Sequence, residues 1–107
     1  MRVVILTREY PPEVYGGAGV HVEYLSKELA RLTAVEVRCF GVGKESPDGT
    51  LIVRGYGPWD ALAGSAPGLS ALQTMSVDLA MAVGLEGASL VHSHTWYTNL
   101  AGHVAKL

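Results

Sequence analysis

Apolar and polar positions along this chain fall into blocks whose period switches between that of a strand and that of a helix. Arg2 to Thr7 holds the apolar run Val3-Val4-Ile5-Leu6, which predicts a first strand buried on both faces. Val22, Leu25, Leu29 and Leu32 recur at helical spacing and predict a first helix from about Ala18 to Leu32. Val35-Glu36-Val37-Arg38-Cys39-Phe40 predicts the second strand, and Leu51-Ile52-Val53-Arg54 the third. The link between them, Gly41 to Gly49, is turn-rich and too short for a helical crossover, since parallel strands need about a dozen or more residues to connect. The third strand is therefore expected at an edge, with its direction open. Gly55 to Gly68 reads as a loop carrying an exposed Trp59-Asp60 pair. Leu69, Leu72, Ser76, Leu79 and Val83 mark one face of a second helix that stops near Gly84 and Gly87. Ser89-Leu90-Val91-His92-Ser93 predicts the fourth strand, and a third helix starts within Thr95 to Thr98 and runs into Leu107.

Alternation of this kind implies an α/β, Rossmann-like fold with a mostly parallel sheet and helices on both faces. Right-handed crossovers give the strand order 3-2-1-4, which reverses direction between the first and fourth strands. Ligands bind such sheets outside the carboxyl ends of the strands at that reversal. Two suggestive stretches are aimed at it. The first is the loop Arg8-Glu9-Tyr10-Pro11-Pro12-Glu13-Val14-Tyr15, kept from helix by its prolines, followed by Gly16, Gly17 and Gly19. Glycines at a helix start leave backbone N–H groups free and admit a ligand close to the main chain, and the helix dipole favours an anion such as phosphate. The second is His92-Ser93-His94-Thr95.

The bulk numbers narrow the partners. The 107 residues, 49% hydrophobic and 17% charged, describe one small globular domain. A net charge of −2 gives no footprint for nucleic acid or an anionic membrane, and no segment is long enough for a membrane span. A single cysteine, Cys39, excludes an intramolecular disulfide and reads as a small core residue. With a strand at the N-terminus and no basic leader or cleavage site, the expected location is cytoplasmic.

The motifs have bland alternatives. The glycines lack a third glycine at Val22, arrive late after the strand, and are followed by a second strand that ends at Cys39-Phe40 rather than an acid. That argues against a nicotinamide cofactor and leaves open a packing turn without ligand. His92 and His94 could face one side and share a metal, but no acid or cysteine lies nearby, so no metal is expected. His92 reads as a hydrogen-bonded core or strand residue, His94 as the functional one, His21 and His103 as helix-surface residues. The Glu28–Glu36 spacing is read as chance. Trp96, Tyr97 and Trp59 could stack on sugar or simply pack.

Taken together, Arg8-Glu9-Tyr10-Pro11-Pro12, Gly16-Gly17-Ala18-Gly19 and Val91-His92-Ser93-His94-Thr95-Trp96 resemble the N-terminal domain of bacterial glycogen synthases, closest to the branch that makes maltose 1-phosphate or elongates α-glucan. These are family-4 retaining glycosyltransferases of GT-B fold. The resemblance implies that residues 1–107 are a partial, acceptor-side N-terminal domain, with ADP-glucose as donor substrate and an α-1,4-glucan or glucose 1-phosphate as acceptor. It implies no cofactor and no metal. Gly16, Gly17 and Gly19 would line the phosphate and acceptor side, and His94 would stand near the anomeric centre. Glu9, Thr95 and Trp96 would sit in the same cleft. Val14-Tyr15 replaces the family's Lys-Thr, and Thr95 replaces an Asp in its His-Asp-Trp, which leaves the acceptor open. The family's Arg/Lys pair and E-x7-E element belong to a C-terminal nucleotide-sugar domain outside this sequence, so the 107 residues are expected to be inactive alone. An exposed edge on the fourth strand would invite self-association. The rival reading is a small non-catalytic phosphate- or nucleotide-binding Rossmann module.

Overall fold

A computed structural model describes residues 1–11, 16–41 and 45–106, apart from the side chains of 45–48. In chain order the elements are β1 (Arg2–Thr7), α1 (Gly17–Ala30), β2 (Ala34–Phe40), β3 (Glu45–Asp48), β4 (Leu51–Tyr56), α2 (Leu69–Met81), β5 (Leu90–Ser93) and α3 (Asn99–Lys106). Short 3-10 turns at Asp60–Leu62 and Trp96–Thr98 lead into α2 and α3. The strands form one sheet in the order β3-β4-β2-β1-β5. The four strands expected from the sequence keep the order 3-2-1-4 and are all parallel.

The fifth strand corrects the expected edge. β3 pairs antiparallel with β4 from Glu45↔Arg54 to Asp48↔Leu51, so the third predicted strand lies inside the sheet. The short link achieves a parallel β2–β4 pair because β3 itself is the return leg, an extended run covering in a few residues the distance a helix would otherwise span.

Alternation of side chains builds two core layers. Val3 and Ile5 of β1 join Val35, Val37 and Cys39 of β2 and Val53 of β4 under Val22 of α1. Val4 and Leu6 point the other way, onto Val77 and Met81 of α2 and Ala101 of α3. α3 lies close on β5: a Cβ at Gly102 would stand 3.0 Å from Ser93. Cys39 is buried in the first layer, as expected of a small core residue.

The second layer contains charge. Glu36 and Arg38, both on the α2 side of β2, are buried and joined by a 2.5 Å Nε–Oε2 contact. Arg2 reaches the other carboxylate oxygen at 2.7 Å. Arg38 also donates to the carbonyls of Met81, at 2.6 Å, and of Val83 and Gly84, holding the end of α2. Glu28 is exposed on α1 while Glu36 is buried on β2, consistent with a chance spacing.

Two helix faces differ from expectation. In α2 the buried residues are Ser76, Val77, Asp78 and Met81, whereas Leu72, Leu79 and Val83 are exposed. The helix is apolar on most of its circumference, with Asp78 as its one charged residue, so periodicity marked a real stripe on the wrong side. On α1, Val22 is buried and Leu29 packs on the core, but Leu32 lies beyond the last turn and is exposed.

Candidate functional site

The sheet's reversal lies between β1 and β5, and the loops leaving their carboxyl ends carry the site. β1 continues into Arg8 and Glu9. The Glu9 carboxylate accepts a hydrogen bond from the Gly16 amide at 3.1 Å, tying the strand end to the helix start. Thr7 steadies the same turn by donating its hydroxyl to the Glu9 carbonyl at 3.1 Å. Tyr10, buried beside α1, shares a 2.6 Å hydrogen bond with Ser26. Pro12 to Tyr15 lie outside the described residues, and with them the Val14-Tyr15 departure noted above.

Gly16 is the N-cap of α1 with extended backbone, φ −164° and ψ −173°, a conformation open to any residue. Unusual dihedrals therefore do not explain the glycines. Nor does crowding: a Cβ at Gly16 or Gly17 would meet nothing within 4 Å among the described residues, so the space over the turn is open. Gly19, by contrast, is buried against the core. The first turn carries no acidic side chain, and its amides have no acceptor within the helix. The backbone there can receive an anion at close range.

From the other side comes His94, one residue past β5. Its amide donates to the Leu6 carbonyl at 2.8 Å and lies 3.1 Å from the Thr98 hydroxyl. Thr98, fully buried, places that hydroxyl 2.9 Å from the His94 carbonyl and 3.1 Å from the Leu6 carbonyl. The His94 backbone is thus fixed on three sides. Its imidazole stacks on His21 of α1 at 5.3 Å between centroids, and on His92 at 5.8 Å. Partial burial, and then the neighbouring His21 and His92, hold the His94 pKa below the ordinary imidazole value. At neutral pH the ring is uncharged, with one nitrogen donating and the other accepting.

Thr95 adopts φ 67° and ψ 167°, and it is the one non-glycine with positive φ among the described residues. That region is essentially glycine's, and holding a threonine there costs on the order of 1–3 kcal/mol. The turn puts Trp96 out into solvent and stacks it on Tyr97 at 4.0 Å. Replacing Thr95 by glycine is expected to stabilise the fold by about 1 kcal/mol, after the added chain entropy of glycine is subtracted. A raised urea midpoint would register this.

The structure therefore brings Glu9, Gly16 and Gly17 together, and it brings His94 against α1 one turn further on. Thr95 and Trp96 follow His94 at the crevice rim. His92 is exposed on β5 rather than in a core, and His103 is exposed on α3. His21 is a surface residue, as expected, but also the contact that joins the two halves of the site. Its position four residues after Gly17 was the available signal. Thr98 and Arg8 had no role from sequence. Trp59 is exposed and donates its amide to the Ser76 hydroxyl of α2 at 3.2 Å. Among the described residues, no group of three or more His, Cys, Asp or Glu is placed to hold a metal, and no helix is long and apolar enough to cross a membrane.

Residues 15–107 match the model of Glycosyltransferase Family 4. The chain is 53% identical over all 107 residues to an alpha-maltose-1-phosphate synthase of Mycobacterium tuberculosis strain H37Rv. It is 50% identical, again over its whole length, to the protein of that name from Mycolicibacterium smegmatis. The chain spans 25% of the length of each of these relatives.

Proposed function

Because this chain belongs to glycosyltransferase family 4, we propose that it forms the acceptor-side, N-terminal Rossmann-like part of a cytoplasmic, retaining glucosyltransferase. The donor is ADP-glucose, a substrate rather than a cofactor. The acceptor is an α-1,4-glucan or glucose 1-phosphate. The observation that carries the reading is the His94 imidazole stacked on His21 at the start of α1, which joins the β5 tip to the glycine turn at the sheet's reversal.

Transfer breaks the bond between the anomeric carbon and the donor diphosphate and forms one to an acceptor oxygen. The diphosphate leaves with the bonding electrons and takes up the proton that the acceptor hydroxyl gives up. The exposed amides of the α1 start suit the anionic side of that exchange. A neutral His94 suits the sugar side, since it can accept from one hydroxyl and donate to another without drawing the leaving charge. Gly16 and Gly17 keep the approach clear, Glu9 holds the glycine turn, and Thr95 and Trp96 border the acceptor.

The 107 residues alone are expected to release no ADP above blank from ADP-glucose with glucan or glucose 1-phosphate. A chimera in which they replace the matching quarter of the Mycolicibacterium smegmatis relative is expected to turn over. In that chimera His94→Ala should lower kcat about 10²-fold, the scale of losing a positioned polar group at the reacting centre. Near-normal kcat would remove His94 from the mechanism. A folded chimera that binds ADP-glucose through the relative's own C-terminal part yet shows no turnover would count against the acceptor-side role of these residues.

A further inference from the structure

Most cations among the described residues are already committed. Arg2, Lys27, Arg31, Arg38 and Arg54 each lie within 4 Å of a glutamate. Arg8 stands differently. It is exposed at the end of β1, with its guanidinium carbon 4.2 Å from the centroid of the Tyr97 ring. Tyr97 is backed in turn by Trp96. No carboxylate among the described residues pairs with Arg8, and the neighbouring Glu9 carboxylate is turned to the Gly16 amide. Across stretches 8–11, 16–21 and 92–98, which border the crevice, it is the one lysine or arginine.

A guanidinium lying on an aromatic face is held in orientation while its N–H edge stays available. Little side-chain freedom then remains to be lost when a ligand binds. The fork of donors matches the oxygens of a phosphate, and the charge distinguishes a phosphorylated sugar from a neutral one. We propose that Arg8, steadied by Tyr97, binds the phosphate group of a sugar phosphate at the crevice and favours it over an uncharged glucan. This rests on the glycosyltransferase reading above. The phosphate can be that of glucose 1-phosphate or the diphosphate of a nucleotide sugar, and the test separates them.

The test is an NMR titration of the labelled 107-residue protein, following the Arg8 side-chain Nε–Hε, the Tyr97 ring and the amides of Gly16 to His21. The ligands are glucose 1-phosphate, ADP-glucose, glucose, maltotriose and sulfate. Glucose 1-phosphate, ADP-glucose or both are expected to move the Arg8 and Tyr97 signals, and whichever does identifies the source. Glucose and maltotriose should not. Arg8→Gln should weaken that binding about tenfold or more, the usual scale for a lost charged hydrogen bond, while Arg8→Lys should retain part of it. Equal binding of glucose 1-phosphate by the wild type and Arg8→Gln at Gly16 to His21 would overturn the Arg8 assignment and leave the glycosyltransferase reading intact. No response of the Arg8 and Tyr97 signals to glucose 1-phosphate or ADP-glucose would overturn the proposal, whereas the glucosyltransferase reading stands or falls on turnover by the chimera. An equal response to sulfate would show an adventitious ion only and overturn the proposal.

Discussion

Replacing Glu36 by alanine is expected to destabilise the fold by about 3–5 kcal/mol, a large share of the stability of a domain this size. The cause is what remains behind. Arg38 is 5% exposed and loses the buried carboxylate that neutralises it, while its hydrogen bonds to Met81, Val83 and Gly84 hold it in place. Arg2 loses its partner too. Glu36→Ala combined with Arg38→Met should recover part of the loss, since removing both charges leaves no uncompensated ion, although the α2 carbonyls then lack their donor. Burial pulls the Glu36 carboxyl up, but hydrogen bonds and charge from Arg2 and Arg38 outweigh it and hold the pKa below the ordinary carboxylate range. Its contribution is therefore present above the unfolded-state pKa and lost as pH falls through the lower folded value. Urea unfolding of the single and double variants between pH 3 and 7 checks both the magnitude and the sign.

Asp78→Asn should act in the opposite direction, stabilising the protein at pH 7 by about 2–3 kcal/mol. Asp78 is 2% exposed, and its Oδ1 has no hydrogen-bond partner among the described residues. Burial raises its pKa from 3.8 to about 6. The groups on the elements packed against α2 include Arg38, Tyr56, Asp60, Tyr97, His103 and Lys106, and none of them contributes to that shift. Between those two pH values the folded protein binds more protons than the unfolded chain. Stability consequently falls as pH rises through that window and stays lower above it. About two pKa units correspond to about 3 kcal/mol. The asparagine keeps the shape without the charge, so its unfolding free energy should be flat where the wild type slopes. With Glu36 failing at lower pH, the wild type is expected to be most stable between about pH 4 and 5. A wild-type profile still rising from pH 5 to 7 would contradict the Asp78 assignment.

Where the sequence was readable, one physical signal dominated. The apolar run of β1 and the alternation in β2 fix what faces the core, and a parallel order follows from the handedness of the connections. The convergence of the glycine turn and the β5 tip was legible for the same reason, because topology places both at one end of the sheet. Signals that compete locally were not legible. In α2 apolar side chains lie on more than one face, so a periodicity argument cannot select the buried side, and Asp78 is buried where Leu79 is exposed. In β2 the charges of Glu36 and Arg38 neutralise each other under α2, a pairing that a strand pattern alone does not reveal. β3 carries no strand pattern at all, and its place comes from pairing with β4. At the site, backbone and position did the work: Thr98, His21 and Arg8 act through who lies opposite them across some 73 to 92 residues of chain.

Because the β3 return leg stands in for a crossover helix, α1 is, among the described residues, the one helix over its side of the sheet. It reaches β1, β2 and β4, while α2 and α3 divide the opposite side. The same helix begins at the glycine turn, so a guest gripping its first amides braces the roof as well as the doorway. Occupancy of the crevice and the integrity of half the core are thereby thermodynamically coupled through a single structural member.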